Sequence, residues 1–205
     1  MRAGLFGGSF DPPHIGHIHV AQRALLAVDE VWFLPAAAPP HKIGRSLAPF
    51  HHRLQMLKIA TQNQPRFKVL DIEAQLPTPS YTIQTVKLLR RLHPDVSFSL
   101  VVGTDTLLDL PTWYKAVELL RLVDVVAVER AGYDESRVRE VLESAFGADV
   151  CRRLMAGVLR GEVVDVSSTE VRAALMRGEN VENLLPDGVA DYIKRNGLYG
   201  WRRQQ

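Results

Sequence analysis

Gly7-Gly8-Ser9-Phe10-Asp11-Pro12-Pro13-His14-Ile15-Gly16-His17 is the stretch on which the reading of this chain turns. It follows the apolar run Ala3 to Phe6 and leads into Ile18, Ala21, Ala24 or Leu25, and Val28, which recur at helical spacing. The order is strand, Gly-rich loop, helix. Gly7 and Gly8 lack a Cβ, so the backbone there can come close to a ligand, and Pro12 and Pro13 stiffen the turn. A helix starting near Ile15 aims its free N–H groups and the positive end of its dipole at the same space, which suits a phosphate. His14 and His17 both fall in the first helical turn, so their rings can lie on one side and donate to developing negative charge on one phosphate group. A single histidine here would more simply cap or pack the turn; the pair, on a strand, glycine loop and helix, favours an anion site. His19 lies close by, yet no cysteine pair or suitably spaced acid completes a zinc set. The expectation is no metal held by protein side chains.

Outward from this unit, Val31 to Leu34 forms a second strand, followed by a proline-containing loop that reaches about Pro49. Leu54, Leu57 and Ala60 mark a helix, Phe67 to Ile72 a strand, and Ile83, Val86 and Leu89 another helix. Ser97 to Val102 and Asp124 to Val128 are further strands, with a helical segment from Trp113 to about Leu122 between them. Then come a helix (Glu135 to Phe146), a strand (Val163 to Val166), a helix (Glu170 to Met176) and a last helix near Val189 to Lys194. Such alternation predicts an α/β fold: a doubly wound parallel sheet of about six strands, helices on both faces, and a small helical C-terminal part. Ligands in such sheets bind at the carboxyl ends of the strands. The loops after the first, second, fourth and sixth strands are therefore where chemistry is expected. Residues 1–200 read as one domain and 201–205 as a flexible tail; residues 131–161 carry no recognised site and read as packing and surface.

Composition narrows the class. With 205 residues, 46% apolar and 23% charged, the chain can bury a core of its own. A formal net charge of +2 is too mild to require a polyanion, so no nucleic-acid partner is expected. No apolar run approaches the roughly 18 residues that cross a bilayer, and Met1 to Pro13 is broken by Gly, Ser and Asp before a signal-like core could form. The expectation is a cytoplasmic protein with no membrane partner. Cys151, the single cysteine, reads as a buried or bystander residue. Homo-oligomerisation is left open.

Near the other end, Val166-Ser167-Ser168-Thr169-Glu170-Val171-Arg172 places Ser167 and Glu170 as a capping box at a helix start, with Arg172 one turn in, where its guanidinium can grip phosphate oxygens. The first stretch resembles the GxFxPxHxGH signature of the nucleotidyltransferase superfamily, its residues 14–17 spelling HIGH, and the second resembles the family's ISSTxxR motif. Pro39-Pro40-His41-Lys42, Pro79-Ser80-Tyr81-Thr82, Gly103-Thr104-Asp105, Leu110-Pro111-Thr112-Trp113-Tyr114 and the ending Gly197-Leu198-Tyr199 are similar to segments of bacterial nicotinate-nucleotide adenylyltransferases. The resemblance covers nearly the whole chain to about Gly200 and implies a Rossmann-like version of the fold.

It further implies transfer of the adenylyl group of ATP to nicotinate mononucleotide, a step of NAD biosynthesis, by direct in-line attack with release of pyrophosphate. His14, His17 and Arg172 would be catalytic. ATP would be bound by Gly7, Gly8, Ser9, Phe10, His14, Gly16, His17, Gly103, Asp105, Ser167, Ser168, Thr169 and Arg172. The mononucleotide would meet Ser9, His41, Lys42, Thr82, Trp113 and Tyr114. The indole face of Trp113 can stack on a positively charged pyridine ring, and the free amides where Thr82 opens a helix prefer a carboxylate to a neutral amide. Mg2+ is the expected cofactor, carried with ATP by phosphate oxygens and water. Where many relatives have asparagine before the two prolines, this chain has Ala36, Ala37 and Ala38, so one side-chain hydrogen bond to the mononucleotide is missing or supplied elsewhere. Nicotinamide mononucleotide, another phosphate-bearing acceptor, and a non-catalytic nucleotide-binding role are the alternatives.

Overall fold

A computed structural model describes residues 1–37, 47–77 and 79–201. In chain order the elements are β1 (Arg2–Gly8), α1 (Ile15–Ala24), β2 (Glu30–Pro35), α2 (Phe50–Thr61), β3 (Phe67–Val69), α3 (Thr82–Leu92), β4 (Ser97–Gly103), α4 (Thr106–Asp109), α5 (Ala116–Leu122), β5 (Asp124–Val128), α6 (Glu135–Phe146), α7 (Ala148–Ala156), β6 (Val158–Leu159), α8 (Ser168–Met176) and α9 (Val189–Asn196). The strands make one six-stranded sheet in the order β3-β2-β1-β4-β5-β6, parallel at every pairing. This is the doubly wound, Rossmann-like order expected from the alternation of elements.

The strands read as unbroken apolar runs because both faces are covered. Ala3, Leu5, Phe98, Leu100 and Val102 face the layer that includes Ile83, Val86 and Leu89 of α3, Leu119 and Leu120 of α5, and Leu142 and Leu154 of α6 and α7. Phe6, Val31, Phe33, Val101 and Val126 face Val20, Ala21 and Ala24 of α1 and Leu57 of α2. A third cluster joins Met56 of α2 to α8 and α9 through Val171, Leu175, Val189 and Ile193. It forms the small helical C-terminal part. Cys151 is buried in the first cluster, and no helix among the described residues is long and apolar enough to cross a membrane.

Three assignments change. The strand expected at Val163 to Val166 is not in the sheet: β6 is Val158–Leu159, paired with Ala127 and Val128 of β5. Val166 is instead buried in the third cluster, with Val164 partly buried against it, so the apolar run there reflects a helical neighbour rather than a ladder. Phe67 to Ile72 is a strand only to Val69, after which Ile72–Gln75 turns as a 3-10 helix. The segment after Trp113 becomes helical only at Ala116, preceded by α4 and a 3-10 turn at Leu110–Thr112. Residues 131–161 supply α6, α7 and β6, with Val138, Leu142, Leu154 and Met155 in the core.

Strand order reverses between β1 and β4, opening a crevice at their carboxyl ends, Gly8 and Gly103. The N-terminus of α1 faces that crevice.

Candidate active site

The first loop is held by an aromatic plug. Phe10 adopts φ 48, a left-handed backbone that costs a bulky residue strain. Burial compensates: the side chain is 1% exposed, and its ring lies 5.5 Å from Phe6, 5.7 Å from Phe33 and 4.9 Å from His17. Phe10 thus shapes the site from within the core and does not line the cleft.

His14 caps α1 in an extended conformation, and its ring centroid lies 3.7 Å from that of His17. The His14 backbone N–H donates to His17 Nδ1 at 3.1 Å. A ring nitrogen that accepts leaves the proton on the other, so His17 presents Nε2–H as a donor. Gly16 makes room for the pair, since a Cβ there would meet His14 Nδ1 at 3.0 Å.

Burial, reinforced by the positive charge of Arg130 and opposed by Glu170, lowers the pKa of His14 from 6.5 to about 3. The ring is therefore neutral at pH 7. Because the folded value lies below the unfolded one, the stability this favours is complete above pH 6.5 and is lost as pH falls toward 3. Between pH 7 and 5 it amounts to about 2 kcal/mol. We expect His14→Gln to lose that much less stability over this interval in urea titrations; equal acid sensitivity of the two proteins would show that His14 is not held neutral by the fold.

A cleft of about 1040 Å³ opens at the crevice, ample for two nucleotides. Gly7, Gly8, Ser9, His14 and His17 line it from the first loop, Gly103 and Asp105 from the end of β4, and Ser167, Ser168, Thr169 and Arg172 from the start of α8. Thr82, Trp113 and Tyr114 line its far end. Gly103 is required by crowding: a Cβ would stand 2.2 Å from Asp105 Oδ1 and 2.8 Å from Arg130 Cγ. His41 and Lys42 lie outside the described residues, and Gly16 sits beneath the histidines rather than on the cleft wall.

The capping box holds as read: Ser167 Oγ accepts from the Glu170 N–H at 3.2 Å while Glu170 Oε2 accepts from the Ser167 N–H at 2.9 Å. Ser168 Oγ donates to the Pro12 carbonyl at 3.0 Å. Arg172 Nη1 donates to the Asp11 carbonyl at 2.7 Å. The two motifs, far apart in sequence, are thereby tied together at the cleft mouth.

At the far end Thr82 is the first residue of α3, so its N–H precedes the helix's own hydrogen-bond ladder. Trp113 packs partly into the first core cluster while lining the cleft. Tyr114 stacks on Tyr81 at 4.5 Å. Glu73 also lines this end; Ser80 and Thr85 hydroxyls donate to it at 3.1 and 3.2 Å, and burial holds its carboxyl above its usual range against those hydrogen bonds.

Several cleft residues went unread in the sequence. Arg130 follows β5, a strand whose loop the reading did not search, although position at a strand's carboxyl end was the available signal. Its N–H donates to Thr104 Oγ1 at 3.0 Å, and Nη2 to the Val166 carbonyl at 3.3 Å. Asp11 lay inside the quoted stretch but received no role. Glu73, and Arg53 buried outside the cleft lining, had no local signal.

Residues 5–174 match the cytidylyltransferase-like family, and the chain belongs to it, a nucleotidyltransferase by class. The match begins in β1 and ends just past Arg172, and so takes in both walls of the cleft. Within that class it stands among the nicotinate-nucleotide adenylyltransferases: the Bacillus subtilis (strain 168) protein of that name is 38% identical over 200 residues, covering 97% of this chain and 98% of its own. A Salinibacter ruber relative is 38% identical over 201 residues, covering 97% and 98%. The fold matches that of Plasmodium falciparum nicotinic acid mononucleotide adenylyltransferase complexed with NaAD, at TM-score 0.74 and 21% identity over 98% of each chain.

Proposed function

We propose that this protein transfers the adenylyl group of ATP to nicotinate mononucleotide, giving nicotinate adenine dinucleotide and pyrophosphate. The observation that carries the reading is the histidine pair: His17, its Nδ1 engaged by the His14 amide, lines the cleft with His14 at the carboxyl ends of β1 and β4. The attacking phosphate is already ionised near pH 7, so no side-chain base is needed, and catalysis rests on positioning and charge stabilisation. The mononucleotide phosphate oxygen forms a bond to the α-phosphorus as the bond to the pyrophosphate oxygen breaks. His14 and His17 donate to the charge that spreads over the transferring group. Arg172 and Arg130 face the outer phosphates.

Trp113 stacks on the pyridine ring, and the amides at the start of α3 near Thr82 receive its carboxylate. His41 and Lys42 are assigned to the mononucleotide from the sequence alone. Mg2+ would accompany ATP, held by phosphate oxygens and water rather than by protein side chains. Bound in that way, the ion would neutralise triphosphate charge. Residues 1–200 act as one catalytic domain in this reading.

The test is pyrophosphate release with ATP and Mg2+, comparing nicotinate with nicotinamide mononucleotide. Rapid release with the acid and little with the amide is the expected result. Equal rates would overturn the acid preference, and no release with either would overturn the acceptor class.

A further inference from the structure

The first loop is gripped from the far end of the chain. Asp11 is 1% exposed; its Oδ1 accepts from the Tyr199 hydroxyl at 2.7 Å and from the Ala48 N–H at 3.1 Å. Its Oδ2 is buried with no hydrogen-bond partner among the described residues and lies 3.9 Å from Arg172 Nη1. That guanidinium, 29% exposed, donates to the Asp11 carbonyl through Nη1 and to Thr169 Oγ1 through Nη2 at 3.3 Å. The neighbouring Arg53 is committed elsewhere, to the Ser9 and Ala48 carbonyls at 2.8 and 2.9 Å.

Tyr199 is an unusual choice for its position. Its φ is 57, the left-handed region that a tyrosine occupies only when its surroundings hold it there. Its hydroxyl contact with Asp11 and its packing against the third cluster supply that hold. Burial and the adjacent Asp11 carboxylate both raise the pKa of the hydroxyl, so it stays a donor at every working pH.

We infer that Tyr199 and Asp11 act together as positioning residues that set how freely the Arg172 guanidinium can turn to the triphosphate. This rests on the reading that Arg172 serves ATP. When ATP binds, its phosphates and Asp11 Oδ2 compete for one cation. Two donors on Oδ1 spread the carboxylate's charge and fix its plane, leaving Oδ2 near Arg172 but beyond hydrogen-bonding distance. Without the Tyr199 hydroxyl the buried carboxylate keeps a single N–H donor, and its way to recover the loss is a closer pair with Arg172.

The experiment titrates ATP with Mg2+ by calorimetry in the absence of acceptor, and measures KM and kcat for both substrates, in the full chain and its variants. Tyr199→Phe should weaken ATP about tenfold with the acceptor KM changed less than about twofold. Adding Asp11→Asn to Tyr199→Phe should restore ATP affinity to within about threefold of wild type, because the competing charge is gone. Unchanged ATP affinity in Tyr199→Phe, or a matched loss for both substrates that Asp11→Asn fails to reverse, overturns the inference. If Tyr199→Phe does not fold, Asp11→Asn alone decides: ATP affinity at or above wild type supports it, and a tenfold loss overturns it. Failure of the wild type to release pyrophosphate would count against the transferase reading instead, since ATP binding is scored separately.

Discussion

Replacing His17 by alanine should lower kcat by about 10²- to 10³-fold, the cost typical of removing one donor that serves transition-state charge. KM for ATP should move far less, because the donor acts on charge that develops only as the α-phosphorus is attacked. His17 is held from two sides, by the His14 amide on Nδ1 and by the ring of Phe10 at 4.9 Å. Asparagine therefore makes a useful companion: His17→Asn keeps a donor of shorter reach and should fall between alanine and wild type. Thermal unfolding would show the alanine variant folded, since the core plug is Phe10 rather than the imidazole. Near-normal turnover of His17→Ala would remove the histidine from the mechanism.

The largest expected loss of stability comes from Arg53. Its side chain is 1% exposed, and it joins two loops: the Ser9 carbonyl in the first loop, and the Ala48 carbonyl and, more weakly at 3.5 Å, the Ala37 carbonyl in the connection between β2 and α2. Its guanidinium also lies 5.5 Å from the centre of the Phe50 ring. Burial lowers its pKa while Asp11 and Tyr199 oppose the shift, so the charge is retained. Arg53→Met keeps much of the volume but strands the buried carbonyls and leaves Asp11 with one fewer nearby cation. The expected cost is about 3 kcal/mol, which for a chain of this size lowers Tm by roughly 6–12 °C. A Tm within about 3 °C of wild type would mean that the two loops stay together without this arginine.

How much of this was legible in sequence depends on the range over which each signal acts. The Gly7 to His17 stretch and the Ser167–Glu170 capping box are local devices, and both stand where the spacing put them. The parallel sheet followed from alternation and apolar runs, because strands covered on both faces leave that trace. The sixth strand was misplaced: Val163 to Val166 is a short, largely apolar run, yet Val166 is buried and Val164 partly buried in the cluster that includes α8 and α9, and an apolar run alone does not say which partner covers it. β6, at two residues, is too short to leave a pattern. Arg130 and Arg53 were out of reach for another reason. Their importance lies in which carbonyls and rings surround them, and those come from loops separated by tens of positions.

The tethers that complete the first loop join Pro12 to Ser168, Asp11 to Arg172 and Asp11 to Tyr199, across sequence separations of 156, 161 and 188 positions. The opening residues of the chain thus wait for nearly its last ones. During synthesis β1 to β5 can pair as they emerge, while the histidine loop stays open until Tyr199 has left the ribosome. A chain cut short of α8 would keep the sheet and one wall of the cleft but would lack the Ser168, Arg172 and Tyr199 tethers to the first loop. Fragments released before α8 would therefore hold the histidine loop less firmly than a chain that reaches Tyr199.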